Sequence, residues 1–192
     1  MSARVVGIDL SLASTGLADN RGRVQRVQTK GHASDSIADV LRRFNHISLE
    51  VVTFATMGMS DPGTGSRYAV ADPADLAVVE GPAYSRGAMG GQHSRAGLWW
   101  LVAERLDICG IPILVVPPTT RAMYATGKGN SGKDAVLAAA IKRYPAWDIT
   151  GNDIADAAIL ASIGSRLLGH PVEDSLPQAN LRALDKLTLP FA

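Results

Sequence analysis

Short apolar runs alternate with longer amphipathic segments along the chain, and this pattern predicts an α/β fold. Continuous apolar runs, which are typical of strands covered on both faces, occur at 4–10 ("RVVGIDL"), 76–80 ("LAVVE") and 111–116 ("IPILVV"). Two further strands, "STGLADN" and "GRVQRVQT", are separated by a turn around Asn20 to Gly22. We expect them to form an antiparallel meander with the first strand.

Segments with helical periodicity lie between and after these strands. They cover 34–57 with Ser34 or Ser36 as the N-cap, 94–109, a short piece after Pro118, about 132–144, and "GNDIADAAILAS" at 151–162. The order predicts one mixed five-stranded sheet, with three antiparallel strands followed by two parallel ones and helices on both faces. We expect a single domain over 1–170 and a C-terminal tail over 171–192, which could form a short helix packed on that domain.

Composition narrows the class of protein without naming a function. The chain has 192 residues, of which 46% are hydrophobic and 19% charged, as expected for one globular domain. Cys109 is the single cysteine and the four histidines have no metal-ligand spacing, so neither a disulfide framework nor a zinc site is expected. The net charge of +1 neither favours nor excludes nucleic acid. Without a spanning apolar run or a signal-peptide pattern, we expect a soluble, cytoplasmic protein with no membrane partner.

Four carboxylates stand at the ends of predicted elements. Asp9 and Glu80 end two buried strands, while Asp153 and Asp156 lie three residues apart on the last core helix. Each has an ordinary explanation when taken alone: an acid that closes a strand, or an acid in the first turn of a helix capped by Asn152 or Thr150. Together they could meet at one point, where they would repel each other unless a cation lay between them. Oxygen ligands of this kind suit Mg²⁺ or Mn²⁺, and two such ions about 4 Å apart can hydrolyse a phosphodiester.

These motifs resemble a known family in the same order. "VVGIDLSLASTGLA" with Asp9, "LAVVEG" with Glu80, and "NDIADAAILA" with Asp153 and Asp156 resemble the acidic motifs of RuvC-type Holliday-junction resolvases, over about residues 4–168. The resemblance implies a ribonuclease-H-like fold and a homodimer that binds four-way DNA junctions. Each subunit would nick one strand with two Mg²⁺ or Mn²⁺ ions per active site, leaving a 5′-phosphate and a 3′-hydroxyl.

The resemblance also implies roles for two further residues. Lys133 in "GNSGKDAV" takes the place of a basic residue that assists at the phosphate, and Tyr84 would stack at the junction centre. The segment "DLSLAS" departs from the turn common in cellular members, and the residues after Glu80 lack the Phe of well-known members. These departures suit a phage-encoded relative whose substrates extend to other branched DNA.

Positive charge is concentrated in one part of the chain. Residues 81–147 contain eight basic and three acidic residues, an excess of +5 compared with +1 for the whole chain. We expect Arg86, Arg121 and Lys128, together with Lys133, to contact DNA phosphates. Arg105, Lys142 and Arg143 are expected to be ordinary solvated side chains. Of the adjacent Trp99 and Trp100, one is expected in the core and the other at a subunit interface or in a second core contact.

Three alternatives remain open at this point. "GKGNSGKD" (127–134) nearly matches a nucleotide-binding P-loop, but Asp134 stands where Mg²⁺ needs Ser or Thr. "GIDLSLASTG" resembles the first phosphate loop of actin-like and sugar-kinase ATPases, which usually need two such domains. A third alternative is a non-catalytic DNA-binding domain of the same fold. We favour the nuclease and expect no nucleotide cofactor.

Overall fold

A single mixed sheet forms the centre of the protein. The computed structural model describes residues 3–56, 72–81 and 89–191. The strands are β1 (Val5–Asp9), β2 (Ser14–Asp19), β3 (Val24–Gln28), β4 (Leu76–Glu80) and β5 (Ile113–Val116). Their order across the sheet is β3-β2-β1-β4-β5, and β1, β2 and β3 pair antiparallel whereas β1, β4 and β5 pair parallel. The predicted sheet is therefore confirmed.

Helices cover both faces of this sheet, as predicted. They are α1 (Ile37–Thr56), α2 (Met89–Ile108), α3 (Pro118–Thr126), α4 (Lys133–Arg143), α5 (Asn152–Leu167) and the short α6 (Gln178–Leu181). Alternate residues of β1 point to opposite faces. Val5 belongs to the core cluster with α5, and Val6 and Ile8 belong to the cluster with α1 and α2. None of the described helices combines the length and apolarity that a membrane crossing requires.

Helix α5 lies unusually close to the sheet. A Cβ atom on Gly7 of β1 would lie 2.0 Å from the carbonyl oxygen of Ala157, and one on Gly16 of β2 would lie 2.0 Å from that of Asp153. Only glycine fits at such a distance between backbones. The two glycines therefore fix the position of α5 across β1 and β2, and with it the positions of the acids that α5 carries.

Three local predictions need correction. Strand β5 is an edge strand with Val115 exposed, so it is not buried on both faces as its apolar run suggested. Helix α2 begins at Met89 rather than near Ser94. Helix α5 has Gly151 at its N-cap without a side-chain hydrogen bond, so neither Asn152 nor Thr150 caps it.

Ser36 is the residue that caps α1. Its Oγ accepts a hydrogen bond from the backbone N–H of Asp39 (3.2 Å), and the Asp39 carboxylate accepts one from the backbone N–H of Ser36 (3.0 Å). This reciprocal pair is a capping box in which Asp stands in for the usual Glu. The expected N-cap therefore falls on Ser36 rather than Ser34.

The C-terminal segment is attached through a buried carboxylate. Glu173 accepts hydrogen bonds from the hydroxyl groups of Tyr124 (3.0 Å) and Tyr144 (2.5 Å), and it forms ion pairs with Arg143 and Arg166. Beyond it, α6 and the 3₁₀ turn at Arg182–Leu184 pack against α3. These contacts tie α3, α4 and α5 to the end of the chain.

Candidate active site

The carboxyl ends of two neighbouring parallel strands bring the first two acids together. Ile8 of β1 pairs with Val79 of β4, so Asp9 and Glu80 occupy the next position on each strand, side by side at the same edge of the sheet. This edge is where ligands usually bind in open α/β sheets. Both residues are partly buried.

The third acid, Asp156, comes from α5. It is 3% exposed and reaches the same edge because α5 crosses β1 and β2 in backbone contact. Oxygen atoms of Asp9, Glu80 and Asp156 all lie within 4.8 Å of one another. We call these three residues the acidic triad. Carboxylate oxygens at this spacing are a ligand set that could hold a hard divalent cation.

Asp153 lies next to this triad but has partners of its own. The Ser14 hydroxyl donates a 2.5 Å hydrogen bond to Asp153 Oδ2, and Arg26 Nε lies 3.8 Å from the same oxygen. Its side chain is 27% exposed. The four predicted acids are thus arranged as three converging carboxylates and one neighbour.

Arg121 lies inside the acidic site rather than on an open surface. We expected it to contact DNA phosphates; in the protein alone, Arg121 is 8% exposed and its guanidinium points into the acidic triad. Its Nε lies 2.6 Å from Glu80 Oε2, and its Nη1 forms an ion pair with Asp156 Oδ1. Strand β5 ends just before Pro117, and α3 begins at Pro118 without a longer connection. Arg121 therefore lies one turn into a helix that starts at the carboxyl edge of the sheet.

The electrostatics of the triad favour an added cation. Burial, followed by repulsion from Glu80, raises the pKa of Asp9 from 3.8 to about 7, although Arg121 and Lys133 oppose the shift. Burial also raises the pKa of Glu80, again against the effect of Arg121. One guanidinium group nearby therefore does not neutralise these carboxylates fully, since their charged forms remain disfavoured.

A groove of about 630 Å³ opens directly beside Asp9 and Glu80. Leu10, Leu12, Leu98 and Trp99 give it apolar walls, and the indole N–H of Trp99 donates a 3.1 Å hydrogen bond to the Glu80 carbonyl. The polar residues that line it include Ser11, Gln92, His93, Arg95 and Lys133. A mixed apolar and basic groove of this kind can take both the bases and the phosphates of a nucleic acid strand.

The remaining predicted contact residues differ in how the structure places them. Lys133 is exposed at the first residue of α4 and lines the groove, as its predicted role at the phosphate requires. Lys128 is exposed in the loop between α3 and α4 but does not line the groove. Arg86 and Tyr84 lie outside the described residues.

His93 and Arg95 line the groove, although the sequence did not single them out. Arg95 was counted in the basic segment, but nothing in the sequence distinguished it from the other arginines. The signal that could have found both is their position on the first half of α2, which begins nine residues after Glu80 in the sequence. A helix that starts near the carboxyl edge of a sheet places its first turns beside the site at that edge.

The nucleotide-binding alternative for 127–134 does not fit its structural setting. A P-loop connects a strand to a helix. This segment instead follows helix α3, which ends at Thr126, and leads into α4. The glycine-rich stretch is therefore a helix–helix connection.

Comparison with known proteins identifies the type of fold. The sequence matches no protein-family model and no curated protein. The structure is similar to RuvC from Thermus thermophilus, with 16% identity and a TM-score of 0.56 over 87% of this chain and 97% of that one. It is also similar to T. thermophilus RuvC in complex with a Holliday junction substrate, with 14% identity and a TM-score of 0.59 over 82% of this chain and 90% of that one. The predicted RuvC-type, ribonuclease-H-like fold is therefore confirmed.

Proposed function

We propose that this protein is a metal-dependent endonuclease that resolves four-way or other branched DNA by paired nicks, leaving 5′-phosphate and 3′-hydroxyl ends. The observation that carries the proposal is the meeting of Asp9, Glu80 and Asp156 at the ligand-binding edge of the sheet. The fold adds support, because a protein with the same fold has been solved with a Holliday junction substrate.

The residues of the triad fit a divalent cation in two respects. Their carboxylate oxygens lie within 4.8 Å of one another, and the close contact of the buried Glu80 Oε2 is a cation, the Arg121 guanidinium. Burial and repulsion from Glu80 raise the pKa of Asp9, and a cation held between these carboxylates would relieve that repulsion. We therefore propose that Asp9, Glu80 and Asp156 hold Mg²⁺ or Mn²⁺, and that Asp153 takes part in holding a second ion.

Bound divalent ions would supply an activated water and stabilise the departing 3′ oxygen. The residues of the chain have other tasks. Lys133 stands free at the start of α4 beside the groove, where its ammonium group can neutralise charge that develops on the phosphate. The apolar walls of the groove keep water away from the strand, and Arg95 and His93 hold its backbone.

A homodimer belongs to this proposal, because resolving a four-way junction takes two matched nicks. Trp100 on α2 has 69% of its surface exposed, which is uncommon for such a large apolar side chain and suits a subunit interface. Sedimentation of the protein with and without junction DNA tests this part. A monomer in both conditions would contradict it.

The test of the activity is a panel of DNA substrates. Labelled four-way junction, fork, flap and linear duplex are incubated with the protein in Mg²⁺, in Mn²⁺ and in EDTA. We expect symmetric nicks in the junction with either metal, none in EDTA, and much slower cutting of the duplex. Cutting of all four substrates at equal rates would contradict junction selectivity, and no cutting under any condition would contradict the nuclease.

The Asp9→Asn variant tests the assigned metal site. We expect it to abolish cutting while junction binding in EDTA is kept, because it removes a metal ligand without removing the groove. Asp107→Asn is the control, since Asp107 is an exposed carboxylate near the end of α2 and outside the groove lining. Cutting by Asp9→Asn at the rate of the unmodified protein would contradict the assigned metal site.

A non-catalytic DNA-binding domain is the second candidate, and Arg121 is the observation that favours it. A guanidinium that pairs with Glu80 and Asp156 can stabilise those carboxylates without any metal. Junction binding without cutting in any metal would support this candidate. DNA-independent ATP turnover would instead support the kinase-like alternative.

A further inference from the structure

Arg121 is a buried cation at the centre of the acidic triad. It joins two of the three carboxylates, Glu80 and Asp156, through different nitrogen atoms of one guanidinium group. The same two carboxylates are proposed above to hold a metal ion, so the inference drawn here rests on the proposed function. The guanidinium and a divalent ion would use the same carboxylate oxygens, Glu80 Oε2 and Asp156 Oδ1, so binding of one opposes binding of the other.

The contacts of Arg121 suggest that it can be displaced. A guanidinium usually binds one carboxylate through two parallel N–H···O hydrogen bonds. Here each carboxylate receives only one nitrogen: Nη1 donates a hydrogen bond to Asp156 Oδ1, and Nε lies 2.6 Å from Glu80 Oε2. Neither carboxylate is held by the paired fork, so a divalent ion that replaces these single contacts brings a gain in charge.

The position of Arg121 also gives it another partner when DNA is present. Glu80 lines the groove proposed to hold the DNA strand, and Arg121 contacts Glu80 from α3. The arginine side chain is long, and its guanidinium binds phosphate as well as it binds carboxylate. A phosphate in the groove beside Glu80 would offer Arg121 an anion at the moment when a metal ion takes its place.

We propose that Arg121 is an internal counter-cation that competes with the divalent ion for Glu80 and Asp156, and that a DNA phosphate in the groove releases it. Metal binding and DNA binding are then coupled through one side chain. The protein alone binds metal weakly, and it binds metal more tightly once DNA has engaged Arg121. Because such coupling is reciprocal, the metal must raise the affinity for DNA by the same factor.

The first test measures Mn²⁺ binding without DNA, by electron paramagnetic resonance of free Mn²⁺. Arg121→Met keeps the apolar stem and removes the charge. We expect it to bind Mn²⁺ more tightly than the unmodified protein by roughly 10-fold or more, within the usual range of coupling between sites. If Arg121 merely holds the two carboxylates in position, the variant should instead bind Mn²⁺ equally or more weakly, and this result would overturn the proposal.

Removing any nearby positive charge raises metal affinity to some degree, so a matched control is needed. Arg26→Met removes an arginine that lies 3.8 Å from Asp153, and the described structure shows no hydrogen bond or ion pair between Arg26 and the triad. We expect a clearly smaller gain in Mn²⁺ affinity than for Arg121→Met. Equal gains in both variants would show a general charge effect and would contradict direct competition.

The second test measures coupling with DNA. The affinity for a synthetic four-way junction is compared in EDTA and in Ca²⁺, which prefers the same oxygen ligands. We expect Ca²⁺ to tighten junction binding by the unmodified protein and to have little effect on Arg121→Met. Equal tightening in both would overturn the coupling.

Two precautions keep the outcomes separate. Arg121→Met leaves buried carboxylates without a counter-cation and could unfold without metal, so Arg121→Lys serves as a second variant. Lysine keeps the charge but concentrates it on one nitrogen and lacks the separate nitrogen atoms that reach Glu80 and Asp156, so an intermediate Mn²⁺ affinity is expected. If neither the unmodified protein nor any variant binds Mn²⁺, the proposed function fails as well, whereas tight binding unchanged by the substitutions overturns only the role of Arg121.

Discussion

Replacing Asp9 by Asn should stabilise the metal-free protein, and the gain should grow as the pH rises. Burial and the neighbouring Glu80 carboxylate raise the pKa of Asp9 from 3.8 to about 7. Above that pH the folded protein contains an ionised carboxylate that is better solvated in the unfolded chain. Asn has the same shape and carries no charge, so the variant avoids this cost.

The magnitude follows from the shift in pKa. One pKa unit corresponds to about 1.4 kcal/mol, so a rise from 3.8 to about 7 limits the cost to about 4 kcal/mol. The folded pKa of Asp9 lies above the unfolded one, so the folded state binds more protons between these values and stability falls as pH rises through this window. The cost is absent below about pH 4 and complete above about pH 7. Between pH 5 and pH 8 the advantage of Asn should grow by about 2–3 kcal/mol.

Urea denaturation in EDTA at pH 5 and pH 8 measures this difference. Asp107→Asn controls for the loss of a surface carboxylate. Saturating Mn²⁺ at pH 8 should reverse the order of stability, because a ligand that binds only the folded state stabilises it. A difference between Asp9→Asn and the unmodified protein that is the same at both pH values would refute the reasoning.

The other predictions concern the close helix contact, the buried carboxylate and the groove. Gly7→Ala should lower the free energy of unfolding by several kcal/mol because its Cβ meets the α5 backbone at 2.0 Å, whereas Gly132→Ala, with open space around it, should change thermal stability little. Glu173→Gln should cost about 2–4 kcal/mol in urea denaturation, since it leaves two arginines without their buried partner. Lys133→Ala should slow single-turnover junction cutting about 100-fold with little loss of binding, while Lys142→Ala should cut normally.

The sequence was sufficient to predict the centre of the sheet and two of the acids. The apolar runs ending in Asp9 and Glu80 belong to strands that need cover on both faces, and β1 and β4 are indeed central neighbours. Parallel pairing then places both acids at one edge without any further information. The local pattern and the global fold agree here, which is why the prediction is accurate.

Features that depend on contacts between distant parts of the chain could not be predicted in this way. The run at 111–116 has the composition of a central strand, but the strand order leaves β5 at the edge with Val115 exposed. The direction of the Arg121 side chain could not be predicted for the same reason. Its place in a basic part of the sequence suggested a phosphate contact. Its direction depends on where α3 begins relative to Glu80 and Asp156, and no local sequence pattern contains that information.

The spacing of Asp153 and Asp156 on α5 shows how two nearby anions can be tolerated on an apolar helix. Residues three apart on a helix face the same side, and like charges there repel. One shared metal ion is one way to offset this repulsion, and the structure contains a second way. Asp156 is paired with Arg121 inside the triad, whereas Asp153 is held by Ser14 and Arg26 outside it. Since Asp153 and Asp156 each have a cation of their own, their charges are balanced without metal, and under the proposal above metal loading is an exchange of partners for Asp156.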